Sequence, residues 1–349
     1  MKLFNFLFLV FIAFFINSCV HKVTVVTMDQ EEEELKIAMI LPNKIGRYAH
    51  TTSTAVFAYM LTREHPYKLK TFQISSESPE EIRRVLDEIK EQEFNYIIAP
   101  MTLQGAKNVV KQEEELIVFF PTIHRSELTN VNQNIYFGAI DYKAQIEKLS
   151  PLARSPLVVM YDKSHKGMRL LEMTKKSYSQ QNDINKNRKV LTYAIDKKRS
   201  SLKSYFNKNE AIQNGSFVLN TPLIKSTMIL SQLSVYDVNI SNVLSTQINY
   251  DPLLLSMTQE NDQKNLYIAN SISIQDDTLI QANALLSNDI VYDWINYAST
   301  IGADYFYHIV TGEERIYPLP FVDNQIIYPI AIVQPSKSHF RVVRNGELP

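Results

Sequence analysis

The sequence predicts an α/β protein made of two units, each a parallel β-sheet flanked by helices. Short apolar runs that end at proline alternate with helical stretches, as at Lys36–Leu41 before Pro42 and Leu116–Phe120 before Pro121. Short, bounded runs that are apolar throughout are typical of parallel strands buried on both faces. The alternation restarts after Pro151, which indicates a second unit of the same kind.

The first unit is predicted from four strands with helices between them. Its clearest helix start is Ser78-Pro79-Glu80-Glu81, where Ser78 caps, Pro79 suits the first helical position and Glu81 completes a capping box. An apolar face then follows at helical spacing. The predicted strands cover 36–41, 68–73, 96–99 and 116–120, and the predicted helices cover about 48–63, 103–112 and the stretch after Ser78.

The second unit contains a similar alternation and a basic helical region. Its predicted strands cover 156–160, 189–195, 216–219, 242–246 and 265–269, with helices at about 222–235 and 289–301. Residues 325–333 and 340–343 are predicted to form a terminal β pair.

The first residues predict a secretory signal with a lipid attachment site. Lys2 precedes the almost unbroken apolar run Leu3–Ile16, which is shorter than the about 20 residues that span a bilayer. The ending Ile16-Asn17-Ser18-Cys19 resembles a bacterial lipobox, in which an aliphatic residue precedes an obligatory Cys. Small residues are commoner where this chain has Asn17. An ordinary signal peptide and a buried apolar helix are the alternatives.

Cys19 is the single Cys of the chain, so no disulfide is expected. A lipobox implies cleavage before Cys19 and acylation of it, with palmitate among the lipids, and two or more acyl chains give durable anchoring. The mature chain would then work in the periplasm, tethered by the acidic segment with Glu31–Glu34. Because Val20 rather than Asp follows the Cys, the outer membrane is favoured over the inner one.

The predicted organisation therefore has five parts. They are a lipoprotein signal peptide at 1–18, the lipidated Cys and acidic tether at 19–35, a first α/β lobe at 36–150, a second α/β lobe at 151–275, and a return to the first lobe with the terminal β pair at 276–349.

The composition is that of a globular chain with an uneven charge distribution. It is 45% hydrophobic and 21% charged, with a net charge of −1, which gives no indication of nucleic-acid binding. Residues 163–208 hold 13 Lys or Arg against three acids, and residues 235–293 hold 8 Asp or Glu against Lys264. This asymmetry indicates either a basic contact face or two neighbouring segments that neutralise each other, and the second interpretation is favoured.

The sequence carries little that predicts catalysis. It has no HExxH, no Cys/His metal spacing and no GxSxG. Ser200-Ser201-Leu202-Lys203 matches SxxK but lacks a KTG partner, and Asp276-Asp277 suits a helix cap or a solvated loop. We expect no enzyme, no metal and no cofactor.

The order of the motifs resembles type I periplasmic binding proteins. Ile37-Ala-Met-Ile-Leu-Pro42 followed by Gly46-Arg-Tyr48 is similar to the strand and loop that open that family. The run Tyr96–Thr102, then Leu116–Thr122, then Ser126–Thr129 and Ile135–Gly138 is similar to its central signature. The resemblance spans most of residues 35 to 333.

The resemblance implies two lobes joined by a hinge, with a small ligand bound in the cleft between them. Parallel sheets bind ligands outside the carboxyl ends of their strands, which selects the same loops. In amino-acid-binding members, hydroxyls and backbone N–H groups of the first-lobe loops hold the ligand carboxylate. The residues expected to line the cleft are Tyr48, Met101, Thr102, Thr122, His124, Arg125, Tyr161, Asp162, Gln247 and Tyr250.

This chain departs from the amino-acid-binding pattern in the first-lobe loops. Met101, Ile123, His124 and Arg125 stand where small residues are usual, while Thr102 and Thr122 remain. Bulky residues would fill the cleft, or Arg125 would bind an anion with two hydrogen bonds, against a surface salt bridge as the alternative.

Two functions remain open. The lipobox and the altered cleft fit a lipoprotein that activates penicillin-binding proteins, the cell-wall synthases, through protein contacts. The alternative is the solute receptor of an importer, with an amino-acid-like or anionic small molecule as its ligand.

Overall fold

The computed structural model describes residues 34–180 and 189–348, and the predicted lipidation site Cys19 lies outside this range. These residues form fourteen strands. The strands are β1 (Leu35–Pro42), β2 (Tyr67–Ile74), β3 (Tyr96–Ile98), β4 (Ile117–Phe120), β5 (Ile135–Phe137), β6 (Leu157–Asp162), β7 (Val190–Ile195), β8 (Gly215–Asn220), β9 (Ile240–Ser245), β10 (Leu266–Asn270), β11 (Phe321–Val322), β12 (Gln325–Ile326), β13 (Ala331–Ser336) and β14 (His339–Val342).

The α-helices lie between these strands, and the predicted alternation is confirmed. They are α1 (Gly46–Met60), α2 (Pro79–Glu91), α3 (Leu103–Gln112), α4 (Tyr142–Leu149), α5 (His165–Gln180), α6 (Lys203–Phe206), α7 (Leu223–Val235), α8 (Pro252–Met257), α9 (Glu260–Gln263), α10 (Asp277–Leu285) and α11 (Trp294–Thr311). Within the described ranges, none of these helices is both long enough and apolar enough to cross a bilayer.

The first lobe is built on the sheet β11-β12-β5-β4-β3-β1-β2. Strand β1, next to the edge strand β2, pairs in parallel with β2 and β3, and its side chains alternate between two buried clusters. Ile37 and Met39 pack with α1 and α11, whereas Ala38 and Ile40 pack with α2 and α3. Both faces of β1 are therefore covered, which explains why its sequence is apolar from Ile37 to Pro42.

The second lobe is built on the sheet β14-β13-β10-β9-β8-β6-β7. Strands β6 to β10 are parallel, while β13 is antiparallel to both β10 and β14. Alternate residues of β6 again enter two cores, with Val158 and Met160 on one face and Leu157 and Val159 on the other. The two-lobed α/β architecture is thus the one expected from the sequence.

The chain crosses between the lobes three times. The first crossing shifts the predicted boundary at residue 150, and the third divides the last predicted part, 276–349, between the lobes. Helix α4 packs on β10 and α5 of the second lobe, so the first crossing lies between β5 and α4 and not after residue 150. The chain returns after β10 and crosses again between β12 and β13. The predicted strand at 325–333 is therefore divided between β12 of the first sheet and β13 of the second. Strand β13 pairs with β14, and this pair extends the second sheet.

Two helix caps show how the sequence sets local structure. The Glu81 N–H donates to Ser78 Oγ at 3.3 Å, as expected for the start of α2. The Glu81 carboxylate instead accepts from the backbone and hydroxyls of Ser75 and Ser76, so the capping box is incomplete. Asp276 caps the unpredicted helix α10 through the Thr278 N–H at 2.9 Å.

Candidate functional site

The loop after β3 contains Thr102, whose polar groups are already bonded within the first lobe. Its N–H donates to Glu77 Oε1 at 2.8 Å and its hydroxyl donates to Glu77 Oε2. The same hydroxyl accepts from the Gly105 N–H at 3.3 Å, so Thr102 is the N-cap of α3. Asn108 fixes the Glu77 loop by donating to the Glu77 carbonyl at 2.6 Å.

The loop after β4 contains Thr122, which is bonded to the neighbouring loop. Its hydroxyl accepts from the Met101 N–H at 3.0 Å and donates to the Met101 carbonyl at 2.8 Å. Met101 and Ile123 point into the first-lobe core, at 2% and 3% exposure. Met101 and Ile123 therefore pack into the first-lobe core, and the two threonine hydroxyls are hydrogen-bonded within the lobe.

His124 lies at the edge of the cleft and faces the segment that crosses to the second lobe. Its Nδ1 accepts from the Ser126 N–H at 3.2 Å, and its Nε2 lies 3.8 Å from Asp141 Oδ2. Burial lowers the pKa of His124, while the nearby Asp141 carboxylate opposes that shift. The imidazole is therefore biased towards its neutral form.

Arg125 is turned towards the far edge of the first sheet. Its guanidinium donates to the Leu128 carbonyl at 2.7 Å, and its Nε lies 3.3 Å from Asp323 in the turn between β11 and β12. Its backbone N–H donates to Gln325 Oε1 at 2.9 Å. Arg125 therefore forms a salt bridge within the first lobe, which is the alternative to binding an anion.

Tyr48 belongs to the first lobe and Tyr161 to the second, and of the two only Tyr48 is exposed. Tyr48 lies in the first turn of α1 with 41% of its surface accessible. Tyr161 packs against the second-lobe core at the end of β6. The adjacent Asp162 accepts from the Ser164 hydroxyl at 2.8 Å, and Ser164 caps α5 through the Gly167 N–H at 3.1 Å. Asp162 is therefore part of a helix start.

Gln247 belongs to a buried polar network at the carboxyl ends of β9 and β10. Gln145 Nε2 donates to Gln247 Oε1 at 3.0 Å and to Ser271 Oγ at 2.7 Å. The Gln247 N–H donates back to Gln145 Oε1 at 3.0 Å. Gln145 and Ser271 were missed by the sequence reasoning, since a Gln on an amphipathic helix carries no signal that it is buried.

The same edge of the second sheet contains buried polar atoms that have no hydrogen-bond partner among the described residues. They are Asn220 Oδ1, Thr246 Oγ1, Gln247 Nε2 and Asn249 Oδ1. A buried hydroxyl or amide without a partner costs about 1–3 kcal/mol. The second-lobe side of the cleft is thus polar and incompletely satisfied, in contrast to the first-lobe loops.

Tyr250 packs in an aromatic cluster with residues of both lobes. Its ring centroid lies 5.0 Å from that of Tyr292, which precedes α11, and 4.8 Å from that of Phe340 in β14. Burial raises the pKa of Tyr250 to about 12, so its hydroxyl stays protonated.

A cavity of about 350 Å³ lies between the lobes on the hinge side. Among the predicted ligand residues, Thr122 and His124 line it. An ion pair between Glu127 of the first lobe and Arg169 of α5 joins the lobes beside it. The other lining residues are Ser126, Ala139, Ile140, Asp141, Tyr142, Lys143, His165, Lys166, Leu170, Met173 and Trp294.

The basic segment and the acidic segment do not pair with each other in the described ranges. Lys163 pairs with Asp196 at 2.8 Å and Lys175 with Glu172 at 3.2 Å, both within the basic segment. Strand β7 forms the sheet edge on the basic side, whereas β9 and β10 lie beyond β8. No ion pair between described residues of the two segments therefore supports the favoured interpretation that they neutralise each other.

An exposed basic surface follows around β7. We name it the β7 basic surface, and it consists of Lys176, Lys189, Lys197, Lys198, Lys203 and Lys208. These side chains are exposed and make no ion pair with other described residues. In the parts of the chain that the structure describes, no cluster of three metal-ligating side chains is found.

Comparisons with known proteins relate the fold to binding proteins. No family model matches the sequence, and no curated protein matches it. The leucine-binding protein LivK from Thermotoga maritima superposes with a TM-score of 0.60 and 9% identity, over 89% of this chain and 98% of that one. LivJ from Streptococcus pneumoniae, solved with isoleucine, gives 0.57 and 13%, over 89% and 99%.

LpoA from Haemophilus influenzae has the same fold over part of its length. It superposes with a TM-score of 0.59 and 10% identity, covering 89% of this chain and 58% of that one. The chain therefore has the two-lobed fold of the type I periplasmic binding proteins, as its sequence motifs implied. At these identities the likeness concerns the fold, which both amino-acid receptors and LpoA share.

Proposed function

We propose that this protein is a non-enzymatic, lipid-anchored envelope protein that regulates or scaffolds an envelope machine, in the manner of the cell-wall synthase activators. One observation carries the proposal. In the first lobe, Thr102 and Thr122 are the residues best suited to hold a ligand carboxylate. The Thr102 hydroxyl is hydrogen-bonded to Glu77, and the Thr122 hydroxyl is hydrogen-bonded to the Met101 backbone. An amino-acid receptor of the usual kind needs such groups free to bind its ligand.

The β7 basic surface supports contact with an acidic partner. Lys189 directly precedes the edge strand β7, and Lys197 and Lys198 follow it closely. Exposed like charges that no internal acid neutralises raise the association rate with a surface of opposite sign. We infer that this surface, rather than the cleft, meets the partner.

The proposed location is the periplasmic face of the outer membrane, with Cys19 as the lipid anchor. The tether at 19–35 would let the folded lobes stand clear of the headgroups. Metabolic labelling with a palmitate analogue tests the anchor, because Cys19→Ser should abolish labelling. Separation of inner and outer membranes by density tests the location.

A complementation assay separates the regulator from the receptor. In a strain that lacks the protein, the double charge reversal Lys197→Glu/Lys198→Glu should fail to restore the wild-type phenotype. Thr122→Val, which alters the first-lobe loop, should restore it. If the charge reversal complements fully and Thr122→Val does not, the regulator proposal is wrong.

The solute receptor remains the second candidate because of one observation. The cavity of about 350 Å³ between the lobes is large enough for a small molecule. A receptor for an importer would also have to close its cleft around the ligand. Distance measurements between spin labels on the two lobes, with and without candidate solutes, would detect that closure.

A further inference from the structure

Strand β7 is an edge strand of the second sheet and carries no charged side chain. It pairs with β6 and stands last in the strand order of its sheet. Its sequence, Val-Leu-Thr-Tyr-Ala-Ile, is rich in residues that favour strands and has no Pro or Gly. The edges of natural sheets are usually protected by Lys, Pro, bulges or short length, because an unprotected edge pairs with further strands.

The other edge strands have such protection. Strand β2, at one edge of the first sheet, contains Lys68 and Lys70, and β14, at the far edge of the second sheet, contains Arg341. Strand β11 is only 2 residues long. Among the described edge strands, β7 is therefore the one whose length and composition favour the addition of a further strand.

The register of β7 determines which of its backbone groups face outward. The Leu157 N–H of β6 donates to the Lys189 carbonyl at 2.8 Å, and β6 and β7 are parallel. In a parallel pair, alternate residues of a strand direct both their N–H and their C=O to the same neighbour. The backbone groups of Val190 and Thr192 therefore point away from β6, towards the outer side of the sheet.

The end of β7 and its side chains limit what an added strand would cover. The Tyr205 hydroxyl donates to the outward carbonyl of Ala194 at 3.2 Å, so an added strand would pair with the start and middle of β7. Val190 packs against one core cluster of the second lobe, and Leu191 and Tyr193 pack against the other, but all three are only half-buried. Apolar side chains of an added strand would cover their remaining surface, at about 25 cal/mol per Å².

Lysines flank β7 at both ends. Lys189 directly precedes the strand, Lys197 and Lys198 follow it, and all three are exposed. The acid next to them, Asp196, already pairs with Lys163 at 2.8 Å. A second copy of β7 would bring lysines against lysines in either orientation, whereas a strand with acidic ends would be attracted. The charges therefore select an acidic partner and disfavour self-association.

We infer that β7 accepts an extended segment of the partner as an additional strand, with β-branched or apolar residues in its middle and acidic residues at its ends. The inference rests on the proposed function and specifies how the β7 basic surface holds its partner. Backbone hydrogen bonds along the edge supply the pairing, and the flanking lysines select the acidic ends.

The test uses a fluorescently labelled peptide with alternating threonine and valine in its middle and glutamates at both ends. N-methylation of alternate residues leaves one edge of this peptide able to pair and blocks its growth into larger sheets. Full N-methylation of the middle keeps the sequence and charge but removes the amide donors of both edges. We expect saturable binding of the first peptide to the full chain in detergent, measured by fluorescence anisotropy, and at least about tenfold weaker binding of the second, because several hydrogen bonds are lost.

Two proline variants locate the binding. Thr192→Pro removes an outward N–H of β7. Thr71→Pro makes the matched change on β2, where the bond from the Leu35 N–H to the Pro66 carbonyl sets the Thr71 N–H outward. Proline is tolerated in an edge strand when its missing N–H faces outward. Thr192→Pro should weaken peptide binding by about tenfold, Thr71→Pro should bind as the wild type does, and circular dichroism checks that both are folded.

Three results overturn the inference: equal affinity for the two peptides, equal binding by the two proline variants, or no saturable binding to the wild type. The complementation assay is decided separately. If Lys197→Glu/Lys198→Glu fails to complement while the two peptides bind equally, the proposed function stands and strand addition is wrong. If that variant complements fully, the proposed function is wrong, and the peptide comparison still decides whether β7 binds a strand.

Discussion

The two faces of the cleft treat their polar groups in opposite ways. In the first lobe, the hydroxyls of Thr102 and Thr122 are bonded to Glu77 and to the Met101 backbone. In the second lobe, Thr246 and Gln247 keep buried atoms without partners among the described residues, although Gln247 also joins a network with Gln145. The threonine hydroxyls of the first face are hydrogen-bonded within their own lobe. The second face carries buried polar atoms that have no hydrogen-bond partner among the described residues.

The difference shows that threonines in the first-lobe loops of this fold can be bonded by other groups of the same lobe. The first-lobe loops keep threonines at positions where a receptor would use them, yet a carboxylate from the neighbouring loop accepts from Thr102. The cost of burying polar groups is thereby offset locally. The proposed function therefore assigns the partner contact to the β7 basic surface.

The largest expected effect concerns the second-lobe network. Gln145→Leu removes three hydrogen bonds of a fully buried amide and leaves the Gln247 N–H without a partner. We expect the free energy of unfolding to fall by about 3 kcal/mol, measured by urea denaturation. The exposed Gln133→Leu serves as the control and should change stability by less than about 0.5 kcal/mol. Similar stabilities for the two variants would contradict the network.

The hydrogen bonds that hold Thr102 in the first lobe can be removed at Glu77. Glu77→Ala leaves the Thr102 N–H and hydroxyl without their carboxylate acceptor, and we expect a loss of about 2 kcal/mol. Glu91→Ala, at the exposed end of α2, is the control. If Glu77→Ala is as stable as its control, Glu77 does not hold the loop.

Two threonines provide a direct contrast between the faces. Thr122→Val removes a hydroxyl that bonds both polar groups of Met101, so it should destabilise the protein by about 1–2 kcal/mol. Thr246→Val removes a buried hydroxyl that has no partner among the described residues, so it should be neutral or stabilising. Equal losses in the two urea titrations would show that the Thr246 hydroxyl is in fact bonded, and the contrast would fail.

The smallest effect is a pH dependence from His124. Burial lowers its pKa, so the folded protein binds this proton less readily than the unfolded chain does. The stabilisation from the neutral imidazole is complete above the unfolded pKa of about 6.5 and is lost as the pH falls through the folded value. His124→Asn should therefore flatten the pH dependence of unfolding on the acid side of neutrality, and an unchanged profile would exclude this origin.

Much of the fold could be predicted from the sequence because its signals are local. Apolar runs bounded by Pro42 and Pro121 predict buried strands, and the Ser78 cap predicts the start of α2. The first crossing was placed too late because α4 has an ordinary amphipathic pattern, and only its packing on β10 shows that it belongs to the second lobe.

The site was harder to predict because its contacts are distant in sequence. Gln145 meets Gln247 across 102 residues, and Arg125 reaches Gln325 across 200. The motif order selects the correct loops, but no local pattern shows whether a Thr hydroxyl faces a ligand or the neighbouring loop. That distinction depends on Glu77, which lies in a different loop from Thr102.

The most direct test of the sealed first lobe is thermal unfolding of the full chain with free amino acids. A ligand at 100 times its dissociation constant adds about 2.7 kcal/mol, which raises the melting temperature by several degrees. We expect no saturable rise with leucine, isoleucine or any other free amino acid. A saturable rise that Thr122→Val abolishes and Thr246→Val retains would contradict the account and identify the first-lobe loops as a working amino-acid site.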